Sequence, residues 1–441
     1  MHGNMDQEAS KAEGPVGVAD GTRSGAPEEI AVALLTGGGD RPYVFGMITS
    51  LTPRGAVLDL IGSDELDLPE LRDQPGVRFL NLRGSTRADA PGLRKVIRIL
   101  KYYARLMLYA ATAKPKIFHI LWNNKFESFD RTLLMLYYKL MGKKIVFTAH
   151  NVNAGRRDAT DTRLNRLTLR TQYRLSDQIF VHTEGMKDEI VREFGVPESR
   201  VAVIPFGINN SVPTTSLTAG DAKQKLGIRS GDKALLFFGR ITPYKGLELL
   251  IAAFRQVAAR SSDYRLIIAG RPDRCEEYWS GIREEIRGDV ERGQIVLHAG
   301  FIPDAETEIY FKAADALILP YRHIYQSGVL FLGHSFGLPV LAADVGSLKD
   351  DIVEGRTGYL FRPDDADDLA KTIERYFEGD LYANLGRRRQ DIHDYSAARH
   401  SWDVVSETTM NAYARLLRMP RPDHARRRDV SSSSLDVKAP S

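Results

Sequence analysis

The sequence predicts two doubly wound α/β domains facing a cleft, and three observations carry that prediction. Short apolar runs alternate with segments of helical period, as strand-helix-strand units do. The runs form two successive series, divided by a polar stretch rich in Ser, Thr, Gly and Pro (211–227) that reads as a linker merging into a short helix. The length of 441 residues suits two cores of about 150–200 residues each.

In chain order, residues 1–28 have no long apolar run, resemble neither a signal peptide nor a membrane span, and are expected to be a disordered tail. The first domain (29–210) has candidate strands at 30–36, 77–82, 116–122, 144–150, 178–183 and 201–207, with helices at 91–110, 129–141 and 185–194. The second (228–392) has candidate strands at 234–239, 264–270, 295–300, 314–320 and 339–344, with helices at 246–260 and 365–378. A long helical pattern follows within 393–420, and the basic, Ser-rich residues 421–441 are expected to be disordered. A net charge of +4 does not announce a nucleic-acid partner, and the single cysteine, Cys275, excludes an intrachain disulfide.

Ligands of such folds sit at the carboxyl ends of the strands. There the run ALLFF turns on Gly239, shows Arg240, and five residues later shows Lys245 before a helix. Free N–H groups and a positive dipole end favour phosphate, and a planar fork beside a flexible ammonium suits a diphosphate. The alternative is a solvated loop whose cations pair with carboxylates such as Glu248. A second nest is expected where Gln326, Ser327, Gly328 and Val329 open a helix after the strand ending at Pro320. In the first domain Gly37, Gly38 and Gly39 follow the first strand and let the backbone approach a ligand, without the downstream glycine of a dinucleotide site.

From Thr148 to about Leu369 the chain resembles the retaining, metal-independent glycosyltransferases of the GT-B fold, closest to family 4. The motifs are TAHN (148–151), VAVIPFGI (201–208), FFGRITPYKG (237–246), LIIAG (266–270), ADALILPYR (314–322), QSGV (326–329), FGLPVLAADVGSL (336–348) and EGRTGYLF (354–361). The resemblance implies two Rossmann-like domains, with a C-terminal helix crossing back to the first. It implies Arg240 and Lys245 on the donor diphosphate, Gly37, Gly38, Gly239, Gly270 and the Gln326–Val329 loop on the donor side, and Gly38, Gly39, His150 and Asn151 toward the acceptor. It also implies a hexosyl donor bound as a nucleotide-diphosphate sugar, no cofactor, no metal, and a glycan or lipid-linked acceptor. One departure stands out: the family's paired glutamates, eight positions apart, align with Ile324 and Leu332, and the Gln-Ser-Gly loop stands in their place. A non-catalytic nucleotide-sugar-binding subunit and a sugar-nucleotide epimerase on the same fold are the competing readings.

His119 and His182 read as structural. Between Pro91 and Ile145 twelve Lys and Arg face two acids, and Arg94, Arg98, Lys101 and Arg105 line one side of a helix opposite Val96, Ile97, Leu100, Tyr103 and Leu108. Residues 94–105 are therefore either a surface for anionic membrane or lipid-diphosphate, or an outer helix whose apolar side packs on the sheet. The expected location is cytoplasmic, peripheral on the inner face of the plasma membrane.

Overall fold

The computed structural model describes residues 29–38, 40–85, 92–124, 126–157, 160–209 and 212–418. The two expected tails and Gly39 lie outside these. The first sheet has seven parallel strands, β1 (Ile30–Leu35), β2 (Ala56–Gly62), β3 (Val77–Asn81), β4 (Ile117–Ile120), β5 (Lys144–Thr148), β6 (Gln178–Val181) and β7 (Val201–Val203), in the order β3-β2-β1-β4-β5-β6-β7. The second has six, β8 (Lys233–Phe238), β9 (Tyr264–Ala269), β10 (Ile295–His298), β11 (Ala316–Leu319), β12 (Val340–Ala343) and β13 (Gly358–Phe361), in the order β10-β9-β8-β11-β12-β13.

Each sheet has one more strand than the sequence reading assigned, and each omission has a cause. In β2 the buried Asp59 interrupts the apolar run; Arg78 of β3 donates to it at 2.8 Å and the Tyr109 hydroxyl at 2.6 Å, so the charge is paired. The strand β13 is four residues long and opens on Gly358, where a Cβ would lie 1.8 Å from the Val340 carbonyl oxygen.

Helices cover both faces of both sheets, as parallel sheets require. Those used below are α1 (Arg41–Leu51), α2 (Gly92–Thr112), α3 (Met135–Leu140), α4 (Arg163–Leu175), α5 (Ala219–Lys225), α6 (Leu247–Arg260), α7 (Gly328–Ser335), α8 (Leu385–Arg399) and α9 (Trp402–Leu417). Alternation along β1 shows the layering: Ala33 and Leu35 join the core under α2, α3 and α4, while Val32 and Leu34 join the core under α1 and α9. The α5 helix lies within the stretch read as a linker, and its Lys223 is held by Asp315 at 2.9 Å, below the second sheet.

The helical pattern of 393–418 is two helices, not one: it breaks at His400, and Ser401 caps α9 by accepting from the Asp403 N–H. α9 packs on the first half. Its Trp402 ring occupies the space above Gly46 and Gly207, where a Cβ would come within 2.1 and 2.2 Å of the indole. No described helix is long and apolar enough to cross a membrane.

Candidate active site in the cleft between the sheets

Strand order reverses between β1 and β4 and between β8 and β11. At such switch points the loops diverge and leave a crevice, and the two crevices face each other across one cleft of about 630 Å³. The cleft is lined from the first half by Gly38, Tyr43, Trp122, His150 and Asn151, and from the second by Arg240, Lys245, Gln326, Ser327, Gly328 and Val329. Arg41 and Asp304 bridge the halves at 3.5 Å.

The second half presents the cations. Gly239 takes φ of 99° and turns β8 away from the sheet. A methyl there would stand 3.3 Å from both Lys245 Nζ and Val329 Cγ2, so the loop after β8 and the start of α7 converge on one point. Lys245 ends a short 3-10 turn (Pro243–Lys245); it is buried, with its ammonium 5.2 Å from the Tyr321 ring centre. Gly246, with φ of 63°, must be glycine, because a Cβ would lie 2.1 Å from the Pro320 carbonyl oxygen. Arg240 is exposed and pairs with Asp273 at 3.2 Å. Glu248, the carboxylate weighed as a partner from sequence, pairs instead with Arg322. Gly270 does not line the cleft; it backs the turn, its α-carbon pressed on the Gly239 carbonyl.

Ser327 caps α7, its hydroxyl accepting from the Leu330 N–H at 3.4 Å. Gln326 is held at both ends: its amide nitrogen donates to Asp351 at 3.1 Å and its oxygen accepts from Ser347 at 2.6 Å. Burial pushes Asp351 up to about 7, against the pull of the Gln326 hydrogen bond. Ile324 and Leu332 both line the cleft and are buried.

On the facing wall, Gly37 approaches the backbone of Trp122 so closely that a Cβ would fall 2.2 Å from its carbonyl oxygen, and the Gly37 carbonyl accepts from Arg83 at 2.7 Å. Gly38 lines the cleft and Gly37 supports it. Asp40, not singled out from sequence, lines the cleft and caps α1 through the Tyr43 N–H at 3.1 Å. The protein crowding its inner side raises its carboxyl above the ordinary range, while the Tyr43 N–H and the Arg240 charge pull it back.

His150 lies flat on Trp122, with ring centres 4.2 Å apart, and has Tyr43 against its edge. Burial, then the neighbouring His182 and His119, hold it well below its ordinary pKa, so it is neutral. Its tautomer follows from its partners. The Ile204 carbonyl can only accept, so His182 Nδ1, 3.2 Å away, carries the hydrogen; neutral His182 therefore accepts at Nε2 from His150 Nδ1 at 3.0 Å. His150 Nε2 is left bare, buried and without a partner among the described residues: an acceptor for a ligand hydroxyl. His182, read from sequence as structural, thus sets the state of His150. The signal was present, since β5 and β6 pair with an offset of 32 residues, which places 182 beside 150. His119 lies between Tyr413 and Thr148, away from the cleft lining. Among the described residues no group of three or more His, Cys, Asp or Glu is placed to hold a metal ion.

The chain is similar to known proteins over both halves. Residues 37–212 match the family described as Glycosyltransferase Family 4, and residues 232–378 match Glycosyl transferases group 1. An uncharacterized glycosyltransferase of Methanocaldococcus jannaschii is 26% identical over 250 residues, which are 54% of this chain and 60% of that protein. A D-inositol 3-phosphate glycosyltransferase of Gordonia bronchialis is 23% identical over 428 residues, 91% of each chain. The crystal structure of Anabaena HepE in complex with UDP and glucose superposes with a TM-score of 0.67 at 15% identity, over 89% of this chain and 100% of that one. Matched in both halves and built on two facing parallel sheets, the chain belongs to the family 4-type glycosyltransferases of the GT-B fold.

Proposed function

We propose that the protein transfers a hexosyl group from a nucleotide-diphosphate sugar to a hydroxyl of a glycan or lipid-linked acceptor, with retention at the anomeric carbon and without a metal. The observation that carries this reading is the convergence of Arg240, Lys245 and the N-terminus of α7 on one wall of the cleft, opposite His150. Departure of the diphosphate develops negative charge where those groups point. Stabilisation that grows in the transition state accelerates the step, and the two cations supply the charge a metal otherwise would. The bare Nε2 of His150 suits it to accept from a sugar hydroxyl and so orient the ring. With Gln326 held by Asp351 and Ser347, its part is to fix the loop, and the backbone N–H groups behind it meet the ligand.

Apolar Ile324 and Leu332 favour the second reading, a subunit that binds the nucleotide sugar without turnover. HepE carries UDP and glucose in its crystal structure, which supports a nucleotide-sugar ligand here as well. The reading places the protein on the cytoplasmic side, where nucleotide sugars are supplied. A thermal-shift panel of nucleotide-diphosphate sugars tests the ligand class. A donor at a hundred times its Kd stabilises by about 2.7 kcal/mol, and the absence of a shift with any of them contradicts the proposal.

A further inference from the structure

Thirteen large apolar side chains are exposed among the described residues, and eleven of them lie between Val96 and Leu167, at 41–72% exposure. The sequence reading left α2 as either a lipid-facing helix or an outer helix with its apolar side on the sheet. The structure shows that Tyr102, Tyr103, Leu106 and Ala110 form the packed side, while Val96, Ile97, Leu100 and Leu108 point outward.

The outward set does not stop at α2. The next helical segment, a π-helical turn (Asp130–Leu134) running into α3, exposes Leu133, Leu136 and Leu140; α4 exposes Leu164 and Leu167. The three helices lie side by side on the same face of the first sheet. Tyr137 of α3 donates to the Met107 carbonyl of α2 at 3.0 Å, and Arg131 donates to Asn165 of α4 at 2.8 Å. Cations frame the leucines. In sequence α2 and α4 carry nine Lys and Arg and no acid, and Arg163, Arg166, Arg170 and Arg174 recur at helical spacing along the exposed side of α4.

We propose that α2, α3 and α4 form one docking platform for an anionic lipid bilayer, with the leucines entering the interface and the arginines on the headgroups. Charge decides the occupant. A second copy of this chain would bring nine cations against nine. A protein interface depletes Lys at its core, whereas interfacial helices pair a leucine face with flanking cations whose stems reach to the headgroups. In a parallel sheet each crossover helix starts at the carboxyl edge of the strands, the edge that faces the cleft. The N-terminal halves of α2 and α4, with Arg94, Leu100, Arg163 and Leu164, therefore flank its mouth on the first-half side, where an acceptor held in the membrane would enter.

The test is flotation of the full chain with phosphatidylcholine vesicles and with phosphatidylcholine–phosphatidylglycerol vesicles across a salt series. Two variants keep the folded state, because every altered side chain is exposed: Arg163→Gln/Arg170→Gln/Arg174→Gln, and Leu100→Ser/Leu136→Ser/Leu164→Ser/Leu167→Ser. Binding only to the anionic vesicles is expected, falling steeply with salt. Loss on the order of 100-fold is expected in the arginine variant, from about a fivefold contribution for each of its three cations, and loss of salt-resistant binding in the leucine variant. Both variants share the terminal segment with its own arginines, so that segment cannot produce the difference. Flotation equal to the parent in either variant overturns the platform, as does a concentration-dependent dimer in sedimentation that the leucine variant abolishes. No turnover is measured, so failure here leaves the glycosyl-transfer reading standing, and the converse holds.

Discussion

His150 shows how a single side chain acquires a defined chemical state from its neighbours. Its Nδ1 hydrogen is committed to His182, and His182 is committed to a backbone carbonyl, so the chain of bonds runs one way only. Burial lowers His182 to about 4 from an ordinary value near 6.5, so the folded protein keeps it neutral where an unfolded chain has begun to protonate. The ¹⁵N spectrum is therefore expected to show His150 as the Nδ1–H tautomer, unchanged on acidification until pH nears 4. His182→Phe should give a tautomer mixture and lower kcat about tenfold, with less effect on KM for the donor. An Nε2–H tautomer in the parent protein contradicts the assignment. At this scale much of the site was legible. Arg240, Lys245, His150 and Ser327 all reach the cleft because motif residues stand at strand ends, and strand ends lead into the crevice. His182 and Asp40 escaped because their roles depend on register and capping between segments, which a motif read along one segment does not contain.

The elements were read well where period and length agreed, and poorly where a polar residue broke an apolar run. Asp59 disguised β2, and the short β13 carried too few residues to stand out beside its turn. The C-terminal pattern looked continuous because helical period survives across His400, although the chain there turns from the second half to the first. The crossing depends on glycine: α9 docks by laying Trp402 on Gly46 and Gly207, and its indole N–H donates to the Ile208 carbonyl at 2.9 Å. A methyl at Gly207 has no room, since overpacking a filled contact costs about 1–3 kcal/mol. Gly207→Ala should lower the unfolding free energy obtained from urea titration by that amount and, because Gly207 also lines the cleft, weaken donor binding. Unchanged stability in this variant means the Trp402 contact is loose and the crossing rests on other bonds, such as Arg54 to Asp403.

The whole molecule divides the labour between its halves. The second sheet supplies buried positive charge from Lys245, exposed positive charge from Arg240 and the backbone of a helix start; the first supplies a neutral acceptor, an aromatic wall and a face framed in cations. Arg240 is held off by Asp273, a surface pair worth at most about 1 kcal/mol, so an incoming diphosphate readily takes it over. The most direct measurement is release of nucleoside diphosphate from the donor that shifts the melting curve, with and without an acceptor alcohol, in the parent protein and in Arg240→Ala and Lys245→Ala. The account predicts turnover in the parent and a fall of about 100-fold in each variant, as expected for losing roughly 3 kcal/mol of transition-state stabilisation. A donor that binds but is never turned over, or turnover unchanged in both variants, would contradict it.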